Sequence, residues 1–158
     1  MGIFFSGREL LEIAIGIERN GAIFYDSLAG FTKNPGARDT YKNLADKERE
    51  HSAIFQRMLD SVGESKPPET FTEQYNLYLK ALIDSLVFAD DKVSLKMAKN
   101  VNNDAEAIQI GMGAEKDSIL FYVEVKDLAR RSDRKVVRKI IEEEKSHLRQ
   151  LTEIKKSL

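Results

Sequence analysis

Cysteine and tryptophan are absent from the 158-residue chain, and histidine occurs only twice. Without cysteine this sequence has no disulfide, no thiolate metal site and no cysteine nucleophile. Any metal site must therefore be built from nitrogen and oxygen donors. Proline (three) and glycine (nine) are scarce. With few breakers and abundant Glu, Lys, Leu and Ala, long helices are expected. Strand signals are missing too, because no period-two run of β-branched residues occurs. No apolar run approaches the roughly 18 residues that a membrane-crossing helix needs. Met1–Phe5 is too short, and lacks the basic flank, to read as a secretory signal. A cytoplasmic location is the default expectation. The net charge of −1 argues against nucleic acid or an anionic membrane as partner. An apolar share of 42% and a charged share of 32% suit one compact domain spanning 1–158.

Along the chain, Ser6-x-x-Glu9 reads as a capping box that opens a helix. That helix is expected to run to Ala29, with Gly30 as a left-handed terminator. Asn34-Pro35 supplies an N-cap and a proline at the first helical position of a second helix. This one reaches about Val62 and stops at Gly63. Glu64-Ser65-Lys66-Pro67-Pro68 is a non-helical linker. Thr72 opens a shorter amphipathic piece with Tyr75, Leu79, Leu82 and Leu86 on one face. Residues 89–102 are polar and weakly patterned. A long helix follows from about Asp104 to Ala129, and Ser132-Asp133 caps the last one. The cationic stretch around that junction, Arg130-Arg131-Ser132-Asp133-Arg134-Lys135, reads as solvated. Two hairpins (6–62 and 104–158) are thus joined by a crossover (63–103) that carries its own helix. The expected fold is all-α, a ferritin-like four-helix bundle with one long helix-containing crossover.

The two hairpins are related. Glu18 is followed by Phe24-Tyr25, and Glu115 by Phe121-Tyr122, at an offset of 97 that also pairs Glu9 with Glu106 and Gly16 with Gly113. Glu48-x-x-His51 matches Glu144-x-x-His147 at an offset of 96, so one residue lost from a loop reconciles the two. These polar residues fall on the apolar seams. The second helix reads Tyr41, Leu44, Glu48, His51, Phe55, Met58, Val62. The last reads Val137, Ile140, Glu144, His147, Leu151, Ile154, Leu158. Both follow the three-and-four steps of a bundle seam. The first helix presents Leu11, Ala14, Glu18, Tyr25 and Leu28, and the third long helix Ile108, Met112, Glu115, Tyr122 and Val125.

A carboxylate in a dry core costs several kcal/mol unless it is paired, protonated or bound to metal. No Lys or Arg lies in these seams, whereas two divalent cations would balance four carboxylates. Within Glu-x-x-His both side chains lie one turn apart on one face and reach a common region. A single such motif in a helical protein is commonplace and usually solvated. Here both histidines of the chain occupy it, at equivalent seam positions. Glu18, Glu48, His51, Glu115, Glu144 and His147 are therefore the candidate ligands of a two-metal centre. Carboxylate plus imidazole suits iron, manganese or zinc. Phe24-Tyr25 and Phe121-Tyr122 read first as core packing, with the Tyr25 and Tyr122 hydroxyls also able to brace a ligand.

The segments Leu11–Ala14 with Glu18 and Phe24-Tyr25, Asp46–His51, Glu115–Tyr122 and Glu142–His147 together resemble the rubrerythrin and ferritin-like di-iron family, particularly short members without a rubredoxin domain. The resemblance implies two iron ions and a di-iron oxidoreductase acting on peroxide or dioxygen. By that likeness Glu48 and Glu144, or Glu18 and Glu115, would bridge the metals, with His51 and His147 as terminal ligands. Members that reduce peroxide usually carry a four-cysteine iron site. With no cysteine here, electrons would come from a separate donor protein. They also usually show Glu-x-x-Glu on the third helix, where this chain has Ser118 three residues after Glu115.

Two other functions stand beside catalysis. One is iron oxidation for storage or detoxification, which a closed multi-subunit shell would favour. The other is a non-enzymatic bundle with structural metal. Bundles of this class often pair side by side, so a homodimer is an open arrangement.

Overall fold

In a computed structural model, which describes residues 5–63, 72–88 and 90–158, the capping box at Ser6 forms as read. Ser6 Oγ accepts the Glu9 N–H at 3.1 Å, and Glu9 Oε2 accepts the Ser6 N–H at 2.8 Å. From that start α1 runs Gly7–Phe31 and α2 Pro35–Val62. Asn34 caps α2 through the Ala37 N–H at 3.0 Å, with Pro35 in its first turn. Gly63 ends it with φ +63°, a backbone value open to glycine. The crossover carries α3 (Glu73–Asp84) and α4 (Asp91–Asn100), and the second hairpin consists of α5 (Asp104–Leu128) and α6 (Arg134–Ser157). No strand occurs among the described residues. The Glu64–Pro68 linker lies outside them.

The first helix does not end on a left-handed Gly30. Gly30 lies in its last turn, and Thr32 in extended backbone (φ −66°, ψ 140°) is the cap. The reason is tertiary. The Thr32 hydroxyl donates to Asp104 Oδ2 at 2.9 Å, and Arg38 donates to the Thr32 carbonyl at 2.7 Å, so the chain leaves α1 already tied to the starts of α2 and α5. At the start of α6 the expected side-chain cap is also missing. The Asp133 carboxylate takes Arg130 Nε at 3.0 Å instead. Residues 91–100, unpatterned in the sequence, are the helix α4. It is capped by Asp90 and buries only Ser94 and Ala98, residues too small to mark an apolar face.

α1 packs along α2 and α5 along α6, while α4 lies on α1 and α3 on α5. The seams fill the bundle as read from Leu11 to Leu28, Tyr41 to Met58, and Val137 to Leu151. They run out at their ends, where Val62 and Ile154 are half-buried and Leu158 is exposed, and on α5 Met112 is only half-buried while the neighbouring Gly111 is buried. On α3 the buried side chains are Leu79 and Asn76, and Leu86 lies beyond the helix. The apolar interior falls into two clusters. One gathers around Leu11, Phe55, Tyr122 and Ile140, the other around Phe24, Tyr25, Tyr41 and Leu151. No helix among the described residues is long and apolar enough to cross a membrane.

Candidate metal centre

Between the two apolar clusters lie the six polar seam residues. Glu18 from α1, Glu48 and His51 from α2, Glu115 from α5, and Glu144 and His147 from α6 are all buried, none more than 3% exposed. Their carboxylates and imidazoles converge in two overlapping groups: Glu18, Glu48, His51 and Glu144, and Glu48, Glu115, Glu144 and His147. In each group the donor atoms lie within 4.8 Å of one another. Glu48 and Glu144 belong to both. The two imidazoles stack with centroids 5.8 Å apart and turn Nδ1 inward.

Contacts exchange between the hairpins as the internal repeat requires. His51 Nδ1 lies 3.6 Å from Glu18 and 2.8 Å from Glu144; His147 Nδ1 lies 3.6 Å from Glu115 and 3.3 Å from Glu48. The Tyr25 hydroxyl donates to Glu115 Oε1 at 2.6 Å, and the Tyr122 hydroxyl donates to Glu18 Oε1 at 2.5 Å. Each tyrosine thus braces the carboxylate of the opposite hairpin rather than that of its own helix. Packing and bracing coexist, since Tyr25 also meets Phe24 edge-on and Tyr122 packs on Phe55.

The electrostatics are those of a charge cluster to which, among the described residues, no Lys or Arg is ion-paired. Burial, and then the neighbouring Glu18 carboxylate, hold Glu48 and Glu144 well above the usual carboxylate range. Burial acts to lower His51, but the Glu144 and Glu18 carboxylates outweigh it and push the imidazole up to about 11. Burial acts to raise Glu115, yet His147 beside it holds that carboxyl below its ordinary value. Burial keeps both tyrosine hydroxyls protonated, and therefore donors.

Seven buried atoms of these six residues lack a well-formed hydrogen bond: Glu18 Oε2, Glu48 Oε1, His51 Nδ1, Glu115 Oε2, both oxygens of Glu144, and His147 Nδ1. Stranded buried polar atoms are rare and costly. Here they point at one another, and each carries a lone pair suited to a divalent cation, so the donor set fits a pair of metal ions. A cavity of about 10 Å³, the room of one water, reaches this cluster past Gly21, Glu48, Glu115 and Ser118 beneath Val87 and Phe88 of the crossover.

Two participants are not evident from sequence. Gly21 stands against Glu48 so closely that a Cβ there would lie 2.6 Å from Glu48 Oε2. Glu143 Oε2 lies 2.6 Å from His51 Nε2 on the outward side of the ring. Glycine inside a helix and the middle residue of Glu142-Glu143-Glu144 give no periodic signal. Asp117 stays outside the cluster and accepts the Val87 N–H at 2.9 Å.

The sequence profile of the Rubrerythrin family matches residues 9–155. Among solved structures, a Thermotoga maritima protein described as ferritin-like and diiron-carboxylate is 31% identical, covers 99% of this chain and 98% of its own, and superposes with a TM-score of 0.75. A Pyrococcus furiosus protein, 20% identical, shares the fold over 96% of this chain and 89% of its own, with a TM-score of 0.65. No curated protein matches the sequence.

Proposed function

Because the chain belongs to the Rubrerythrin family, we propose that Glu18, Glu48, His51, Glu115, Glu144 and His147 hold two iron ions. The centre reduces peroxide or dioxygen with electrons delivered by a separate protein. The observation that carries the metal reading is the convergence of seven stranded buried atoms from two groups that share Glu48 and Glu144. The shared pair would bridge the ions. Glu18 with His51 would complete one position, and Glu115 with His147 the other. The description of the Thermotoga maritima relative supports iron over other metals that the same donors accept. The lack of cysteine in these 158 residues excludes a four-cysteine iron site among them and supports an electron source outside them.

Bound iron supplies Lewis acidity and redox change. The chain's own residues supply the rest. Tyr25 and Tyr122 hold one oxygen each of Glu115 and Glu18, which turns the other oxygen toward the cluster. The two apolar clusters above and below exclude bulk water, and the narrow cavity beside Glu48 and Glu115 admits only small molecules.

The test is metal content by elemental analysis after anaerobic reconstitution with ferrous iron, beside the double variant Glu48→Ala with Glu144→Ala. About two iron per chain, lost in the variant, is expected for ligands that act together. Oxidation of the reduced centre by peroxide, followed optically, then checks the reaction. Near-zero iron in both proteins removes the proposal.

A further inference from the structure

The repeat that relates the two halves of the centre breaks on the outward side of the histidines. Glu143 Oε2 lies 2.6 Å from His51 Nε2, while Glu144, the next residue, lies 2.8 Å from Nδ1 of the same ring. Two consecutive carboxylates of α6 therefore grip His51 at both nitrogens, one from the surface side and one from the core. Moved by the offset of 96, the position of Glu143 falls on Lys47. An ammonium has no lone pair to offer an imidazole N–H, and Lys47 is engaged instead with Glu50 at 2.9 Å. Among the described residues His147 has ion-pair partners through Nδ1 only: Glu48, Glu115 and Glu144.

We propose that Glu143 is a positioning residue that makes the two metal positions unequal, the one at His51 holding a divalent ion more tightly than the one at His147. This rests on the two-metal reading above. A carboxylate only accepts, so Glu143 holds a hydrogen on Nε2 of His51, and Nδ1, facing Glu144 in the core, is the nitrogen left to give up its hydrogen to an ion. The ring is held in its binding orientation before an ion arrives. His147 also turns Nδ1 inward, but among the described residues no carboxylate pairs with its Nε2 to hold a hydrogen there when the ion binds. Losing such an outer partner typically lowers metal affinity about 10–100-fold.

Stepwise titration of metal-free protein with zinc against a competing chelator tests this, with nitrogen-15 spectra of the two histidines as an independent readout. The wild-type protein should bind two ions with affinities about 10–100-fold apart. Its spectra should show a hydrogen on Nε2 of His51 that stays in place when zinc displaces the one on Nδ1. Glu143→Ala should lower the tighter affinity toward the weaker one and free the Nε2 hydrogen of His51, leaving His147 unchanged. Glu143→Gln, which keeps an acceptor at that position, should fall between the two. Two ions bound with affinities that Glu143→Ala leaves unchanged would overturn the inference and leave the two-metal reading standing. A protein that binds no zinc overturns both.

Discussion

At the scale of single residues the centre depends on atoms that contribute no metal donor. Gly21 is the sharpest case. Alanine is about 1 kcal/mol better than glycine inside a helix, so Gly21→Ala should leave the metal-free protein as stable as before or slightly more so. Its Cβ would nevertheless sit 2.6 Å from Glu48 Oε2 and force that carboxylate out of its place in both groups. Expected, therefore, is unchanged thermal unfolding of the metal-free protein together with reduced metal binding. Parallel loss of both would show that Gly21 serves packing alone. The tyrosines make the opposite prediction. Removing the hydroxyl in Tyr122→Phe strands Glu18 Oε1, and Tyr25→Phe strands Glu115 Oε1, each at about 1–3 kcal/mol. Because the contacts are related by the repeat, denaturant unfolding should give similar losses for the two variants.

Among elements, the long helices and the seam polarity were legible because burial of large apolar residues imposes a period on the sequence. Glu18, Glu48, His51, Glu115, Glu144 and His147 stood out as polar interruptions of that period, and the structure brings all six together. What was not legible depends on contacts distant in sequence. The ending of α1 at Thr32 rather than Gly30 is set by Asp104, more than 70 residues away. The α4 helix is hidden because it packs Ser94 and Ala98 rather than large side chains. The crossover next to it carries a prediction of its own. The Val87 N–H is held by Asp117 of α5 at 2.9 Å, and the Phe88 carbonyl by Asn20 of α1 at 3.3 Å, beside the cavity that reaches the centre. Asp117→Ala should cost about 1 kcal/mol by freeing the Val87 N–H. Metal stoichiometry should stay at the wild-type value, since the Asp117 carboxylate is taken up by the Val87 N–H and belongs to neither donor group. Loss of metal in that variant would place Asp117 in the centre after all.

For the whole molecule, the cluster ties folding to protons and to metal in opposite directions. Without metal, Glu48 and Glu144 titrate well above the ordinary carboxylate range and His51 up to about 11. All three bind a proton more tightly folded than unfolded. Their contribution is fully present below the unfolded values, about 4.3 for glutamate and 6.5 for histidine, and is lost as pH rises through the folded values. Glu115 and Glu143 are held low by the histidines beside them and act the other way, with a contribution lost as pH falls below about 4.3. Between about pH 5 and pH 9 the first set therefore decides the slope, and metal-free protein should become steadily less stable. From about pH 7 to pH 9, His51 alone should contribute a loss on the order of 1 kcal/mol per pH unit. Metal reverses the sign, because the ligands must shed those protons to coordinate, so metal affinity rises with pH. Stability added by bound metal should then grow over the same interval, since it scales with affinity at fixed free metal. Denaturant midpoints measured across this range, with chelator and with saturating zinc, should diverge as pH rises. If the two curves run parallel, the buried carboxylates and imidazoles are not the groups that exchange protons for metal.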